Sequence, residues 1–276
     1  MNRFVRREVR ANVRQIKTHG FALLHLLFGK RRTSQDSLSE YSRNWAALEA
    51  QGADFQNLFE PKFPMTRFNK PVAMSVYEWR RTVITHHLAR FIESTGAKRI
   101  LEIGSGFGFN LLLLAPRFPD RQFVGIEPTD TGVRISKAWL AEPPGEFREA
   151  SSAKPLLNVE IELNDILTMD TGAWLETRGG AFDFVFTTAV LEQLHNEIDV
   201  ALRNIFRLTS GHFCFFEEFL EANTAHYLDL VKWDYFRHSW DILHEFADVE
   251  IIERFIPEYQ PSWLKYAFVF GRRTSS

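Results

Sequence analysis

The chain has 276 residues, 45% of them hydrophobic and 25% charged, with a formal net charge of −2. That length suits one or two domains of roughly 150 residues each and can bury a core without covalent staples. The single cysteine, Cys214, excludes an intramolecular disulfide and a cysteine-based zinc cluster. No apolar run approaches the roughly 20 residues that span a bilayer, so the expectation is a cytoplasmic α/β protein.

Charge is unevenly spread. Residues 1–32 carry nine basic side chains against one acid, Glu8, so the remainder of the chain is acidic and nucleic-acid binding is not expected. Within this stretch Val5, Val9, Val13 and Ile16 recur at the spacing of one helix face, with arginines on the other. A basic amphipathic arm of this kind suits peripheral contact with an anionic membrane surface; packing on the domain or on a second copy is the alternative. The following segment, FALLHLLFG, is short, contains His25 and runs into KRR without a small-residue cleavage site, which argues against a secretory signal.

Residues 33–96 read as a lead-in. TSQDS suggests a linker, Tyr41–Ala50 a helix, and Pro61, Pro64 and Pro71 punctuate a loop. Residues 72–95 then carry apolar positions at helical spacing, with Gly96 where a C-cap belongs. From Ala97 the pattern becomes alternating short strands and helices. Strands are expected at 99–104, 122–127, 158–163, 182–187 and 212–217, with helices at about 107–116, 130–141, 168–177 and 189–208. A longer helical region, 222–247, leads to VEIIERFI and KYAFVFGRR, whose short connection demands an antiparallel pair. The fold expected for 97–276 is a doubly wound α/β domain on a seven-stranded, mainly parallel sheet with one antiparallel strand.

The most informative segment is RILEIGSGFGFNLLLL: a strand, then Glu102-x-Gly104-x-Gly106-x-Gly108, then a helix. Glycines there let a ligand approach the backbone beyond the strand ends. Phe109 replaces the third glycine of a dinucleotide fingerprint, and the loop has no P-loop lysine. Glu102 would repel phosphate but suits a ligand ammonium. Glu127, at the second strand's end, can accept both hydroxyls of a ribose. At the third, Asp165 can meet an adenine amino group and Ile166 can pack on its ring, although Asp165 can equally serve as a helix cap. Amino-acid end, ribose and adenine in that order describe S-adenosylmethionine.

In these residues the chain resembles the class I S-adenosylmethionine-dependent methyltransferases of small-molecule type. EIGSGFG carries the family's first motif, FVGIEPT its acidic second-strand motif, NDI its adenine motif and FDFVFTTAVLEQL its fourth-strand motif. The resemblance covers roughly residues 97–272. It implies a cofactor site of Glu102, Gly104, Ser105, Gly106, Gly108, Glu127, Asp165 and Ile166, with Thr187 and Thr188 beside the cofactor's methionine portion.

Methyl transfer from a sulfonium needs alignment and exclusion of water, plus a base for a hydroxyl acceptor. The candidates are Glu192 and His195, three residues apart on the helix expected after the fourth strand, together with Glu217 and Glu218 after the fifth. His195 reads equally as a surface histidine. Substrate walls are expected from Tyr77, Trp79 and Arg80 and from an aromatic insert holding His226, Tyr227, Trp233, Tyr235, His238 and Trp240, with helix packing as the alternative use of those rings. No metal site is expected, since His86 and His87 are adjacent on a helix and diverge. TTAV replaces the Pro-Pro-Tyr element of amino-directed DNA methylases, which favours a small-molecule acceptor, lipid-linked or a glycan precursor in view of the basic arm. The rival readings are a non-catalytic S-adenosylmethionine-binding partner and a membrane-surface scaffold.

Overall fold

The computed structural model describes residues 33–50, 62–144, 156–194, 196–224, 230, 238–262 and 264–274. The basic arm therefore lies outside the described residues, as does much of the aromatic insert. Among the described residues no helix is long and apolar enough to cross a membrane.

The polar TSQDS stretch is not a linker. Thr33 Oγ1 accepts the Asp36 N–H (3.1 Å) while Asp36 Oδ2 accepts the Thr33 N–H (3.0 Å), a reciprocal cap that starts helix α1, Ser34–Ala50. The proline-punctuated segment is also ordered, as a hairpin of β1, Lys62–Arg67, and β2, Lys70–Ser75. Phe68 (φ 48°) and Asn69 (φ 63°) form its two-residue turn, the backbone sense that matches strand twist. Pro71 is accommodated because β2 is an edge strand. A short strand from the far end of the chain, β9, Tyr259–Pro261, pairs with β1 on its other side.

The helix expected over 72–95 begins later, because residues up to Ser75 belong to β2. Ser75 Oγ accepts the Glu78 N–H (3.1 Å) and Glu78 Oε2 accepts the Ser75 N–H (2.7 Å). From this cap Val76–Trp79, a π-helical Arg80–Thr85 and His86–Thr95 run on as one helix, α2, closed by Gly96 at φ 68°.

The main sheet comprises β3 (Arg99–Ile103), β4 (Gln122–Glu127), β5 (Val159–Leu163), β6 (Phe182–Thr188), β7 (Thr209–Glu217), β8 (Val249–Phe255) and β10 (Ala267–Arg273). Its order is β5-β4-β3-β6-β7-β10-β8, and β10 runs antiparallel to both neighbours while the pairs from β5 to β7 are parallel. The predicted topology holds; the reversed strand sits one place in from the edge. Strands buried on both faces read as continuous apolar runs. In β6, Phe184 and Phe186 face the cluster containing Leu88, Phe91 and Phe268, while Val185 faces Leu202, Phe213 and Phe215. Each buried phenylalanine stabilises the fold by roughly 1.5–3 kcal/mol relative to exposure. Cys214 is buried in this core, as its alternation implied.

The covering helices are α3 (Phe109–Leu114), α4 (Asp130–Ala141), α5 (Thr171–Thr177) and α6 (Ile198–Leu208). The single helix expected over 189–208 is broken. Ala189 adopts φ 59°, Leu191–Gln193 form one 3-10 turn, and α6 starts only at Ile198. Of the long helix expected at 222–247, the described parts include the 3-10 turns Leu220–Ala222 and Trp240–Glu245.

Candidate cofactor site

A cavity of about 390 Å³ opens across the carboxyl ends of β3, β4, β5 and β6. This is where strand order reverses, since the chain passes from β3 to β4 and β5 on one side and returns to β6 on the other.

The floor is the glycine loop. Gly104 and Ser105 both donate backbone N–H bonds to the Ile126 carbonyl (2.8 and 3.0 Å), tying the loop to the end of β4. Gly104 has φ 67°, and a Cβ there would stand 2.5 Å from Val190 Cγ2. Gly106, at φ 56°, turns its N–H onto Glu127 Oε2 (3.0 Å). Gly108 caps α3. The hydroxyl of Ser105 is buried without a hydrogen-bond partner in the loop.

Glu127 is buried and oriented. Its Oε1 accepts from the Thr129 N–H (3.0 Å) and hydroxyl (2.6 Å), and the Thr129 hydroxyl in turn accepts the Gly132 N–H (3.2 Å) at the start of α4. Burial raises its pKa, and these donors hold it back. Two carboxylate oxygens have lone pairs beyond these three bonds, so a diol can still be accepted at the cavity edge.

At β5, Asp165 and Ile166 line the cavity as expected. Asp165 also caps its own turn, Oδ1 accepting the Leu167 N–H (2.9 Å), and Asn204 holds the Ile166 carbonyl (2.7 Å). The capping use foreseen for Asp165 is therefore seen, in a side chain that also lines the cavity.

Glu102 lies beneath the floor, almost fully buried. Asn110 Nδ2 donates to its Oε1 (2.6 Å) and to Thr188 Oγ1 (2.9 Å), while Glu102 Oε2 has no partner. Burial pushes the Glu102 pKa up to about 8, against the pull of Asn110 and of the nearby Arg80 cation. Of the two threonines, Thr188 lines the cavity; Thr187 is completely buried and does not.

The cavity fits a polar nucleoside-bearing ligand in one respect: Ser105, in its lining, has a buried hydroxyl that the protein leaves unsatisfied.

The roof was not foreseen. Helix α1 crosses the cavity with Gln35, Leu38, Tyr41 and Trp45 among its lining. Trp45 sits 4.6 Å from Phe107 and touches the Gly106 and Gly132 positions, and Arg134 of α4 donates to Glu49 Oε2 (2.9 Å). The aromatic side chains on a predicted helix were the only sequence signal. Asn110, one residue beyond the glycine motif, was likewise missed.

None of the described candidate catalytic residues lines the cavity. Glu217 is completely buried and accepts from the backbone N–H groups of Val190 (3.0 Å) and Leu191 (3.0 Å), so it holds the β6 loop in place rather than facing a substrate. Burial and the neighbouring Glu192 raise its pKa to about 8. Glu192 is buried too, accepting from Gln193 Nε2 (2.8 Å) and from the Tyr266 hydroxyl (3.4 Å), and does not line the cavity. Glu218 is buried against the same group, and burial with the adjacent Glu192 raises its pKa. His195 lies outside the described residues.

The expected substrate wall divides. Arg80 lines the cavity. Trp79 does not: it is buried among Phe63, Phe216 and Tyr266, and its Nε1 donates to the Tyr259 carbonyl (3.2 Å). Tyr77 packs edge-on at 5.9 Å against Phe109, a lining residue, without itself lining the cavity. His238 is half-buried, accepts the Leu220 N–H through its carbonyl and is not part of the cavity. His226, Tyr227, Trp233 and Tyr235 lie outside the described residues, and Trp240 packs on Phe219.

Residues 76–255 match the family model of the methyltransferase domain, most of the chain. The chain belongs to that family. A comparison with curated proteins finds no match. Among solved structures this methyltransferase is similar to the [4+2]-cyclase SpnF, at 17% identity and a TM-score of 0.60, over 89% of this chain and 98% of that one. It is also similar to magnesium protoporphyrin IX methyltransferase (ChlM) from Synechocystis PCC 6803 with bound SAH, at 13% identity and a TM-score of 0.51, over 70% and 83%. A third is N-methyltransferase NodS from Bradyrhizobium japonicum WM9, at 15% and 0.50, over 71% and 96%. Likeness at these identities establishes the shared fold.

Proposed function

We propose that this methyltransferase takes its methyl group from S-adenosylmethionine and delivers it to a nitrogen or oxygen of a small molecule. The observation that carries this reading is the alignment of three strand ends along one cavity: Asp165 and Ile166 at β5, the buried Glu127 carboxylate at β4, and the glycine loop at β3. The bound states in which ChlM was solved, with SAM or SAH, support it.

Ile166 would pack on the adenine and Asp165 accept its amino group, Glu127 would accept the ribose hydroxyls, and Gly104 to Gly106 with Thr188 would border the methionine end. When bound, the cofactor supplies an activated sulfonium methyl. The chain supplies alignment and dryness: Trp45, Tyr41 and Leu38 cover the cavity, while Gly104 lets the backbone approach closely. A neutral amine acceptor needs no protein base, which agrees with Glu217 being committed to backbone donors.

The basic stretch 1–32 further suggests a cytoplasmic enzyme touching an anionic membrane surface, with a lipid-linked or glycan-precursor acceptor. Transfer of label from methyl-labelled S-adenosylmethionine to components of a small-molecule extract tests the main reading. Binding of S-adenosylhomocysteine with no transfer to any extract would point instead to a non-catalytic donor-binding protein. Equal flotation on anionic liposomes with and without residues 1–32 would remove the membrane contact.

A further inference from the structure

We propose that the tip of the β1–β2 hairpin docks on an anionic phospholipid surface, with Phe68 entering the headgroup layer and Arg67, Lys70 and Lys265 meeting lipid phosphates. The contact lies on the folded part of the chain, outside the lining of the cofactor cavity. It rests on neither the donor reading nor the membrane contact read from residues 1–32.

The first argument is exposure. Phe68 keeps 70% of its surface in solvent, whereas every other described phenylalanine is buried or half-buried. A bare aromatic ring at a projecting turn suits the boundary between headgroups and acyl chains, where apolar side chains leave water while neighbouring cations stay in it.

The backbone is the second. Both central residues of the turn have positive φ, 48° at Phe68 and 63° at Asn69. Turns of this kind favour Asn, Asp or Gly at the first of these positions, and a bulky side chain there is held against its conformational preference. Its ring faces the Arg67 guanidinium, 5.8 Å from the centroid, and is left open to solvent. Folding thus gains little from a phenylalanine at position 68, whereas a surface that takes up the ring gives it a use.

Charge and stiffness are the third. Arg67 and Lys70 are exposed and stand opposite one another across the turn. Lys265 joins them, its Nζ donating to Asn69 Oδ1 (3.1 Å). The acid they meet is Glu258, paired with Arg67 at 3.1 Å, so three cations face one anion. This positive tip belongs to a chain that is acidic beyond residue 32, and its sign is that of the basic arm. Behind the tip the hairpin is anchored: Met65 is buried, Phe63 packs edge-on against Trp79 at 6.4 Å, and β9 pairs with β1. The Phe68 N–H also donates to the Glu258 carbonyl (3.2 Å). A tip already held in one conformation loses little freedom on docking.

The test is partition of the full chain onto mixed phosphatidylcholine–phosphatidylglycerol vesicles and onto vesicles of phosphatidylcholine alone. Wild-type protein should bind the anionic vesicles more tightly. Phe68→Asn installs a residue suited to the turn, so its melting temperature should hold or rise while its partition falls roughly 5- to 10-fold. Lys70→Glu should lower partition onto the anionic vesicles by about tenfold and leave the neutral ones unchanged. Unchanged partition in both variants, with wild type still bound, would assign the whole contact to residues 1–32 and overturn the hairpin site. Equal wild-type binding to both kinds of vesicle would overturn the phosphate contacts. Self-association that Phe68→Asn abolishes without altering vesicle partition would give the ring to a second copy instead. Failure of wild-type protein to bind anionic vesicles would overturn the hairpin site and the contact of the arm together, and would leave the donor site untouched.

Discussion

Trp45 packs its indole against Phe107 at 4.6 Å, so a helix that precedes the α/β domain in sequence closes over the glycine loop of that domain. The contact makes α1 part of the site although residues 51–61, beyond its end, separate it from the hairpin. Replacing Trp45 by alanine should weaken S-adenosylhomocysteine binding roughly tenfold, since an aromatic contact and its water exclusion are lost together. Calorimetry decides this; an unchanged affinity would mean that α1 does not cover the ligand.

Glu127 should be the most sensitive acid for the donor. Glu127→Ala removes the proposed ribose acceptor and also frees Gly106 and Thr129, whose N–H groups it holds. Donor affinity is expected to fall by at least about 30-fold, two charged hydrogen bonds being worth more than one. Because the loop anchors are lost as well, thermal stability should fall alongside, and a variant that melts lower but binds normally would remove Glu127 from the ligand.

Gly104 is held by both conformation and space. Gly104→Ala forces a side chain into φ 67° with its Cβ 2.5 Å from Val190 Cγ2. The expected destabilisation is about 2–4 kcal/mol, combining backbone strain with overpacking. A Val190→Ala background should recover the steric share and leave the conformational share. Urea unfolding of the four proteins in that cycle measures the split, and strict additivity would show that the two side chains do not meet.

Stability should decline as the solution becomes more alkaline. The Glu102 and Glu217 carboxyls are raised by burial from the ordinary 4.5 to about 8 in the folded protein. Between those values the folded chain keeps protons that the unfolded chain has released, so folding is favoured below pH 4.5 and this contribution is lost as pH rises through about 8. Glu217→Gln has no such proton, and its oxygen can still accept from Leu191. Urea midpoints followed from pH 5 to about 8.5 should give a shallower decline for this variant than for wild type; parallel curves would contradict the raised carboxyl.

The strand-end lining of the candidate site was legible in the sequence because it is written locally. Strand, glycines and strand-end acids occupy fixed offsets, and the backbone positions that need glycine allow few substitutes. The mainly parallel seven-stranded sheet with one reversed strand followed from alternation and from one connection too short for a crossover. What sequence could not reveal depends on partners far along the chain. Trp79 and Arg80 are adjacent on one helix, yet a π-helical turn and the Tyr259 carbonyl send one to the core and the other to the cavity. Glu217 looked like an exposed strand-end acid because nothing local indicates that Val190 and Leu191 return to it. The cap between Thr33 and Asp36 was readable but was spread over residues whose polarity suggested a linker.

The placement of β10 has a consequence for biosynthesis. It fills the slot between β7 and β8, both synthesised earlier, and pairs with each along its length. While the ribosome is still holding residues 267–273, β8 has no neighbour in the sheet and β7 exposes an edge rich in phenylalanine. Native closure of this half of the molecule therefore waits for residues 267–273, and until they emerge that bare edge is the surface a chaperone has to shield.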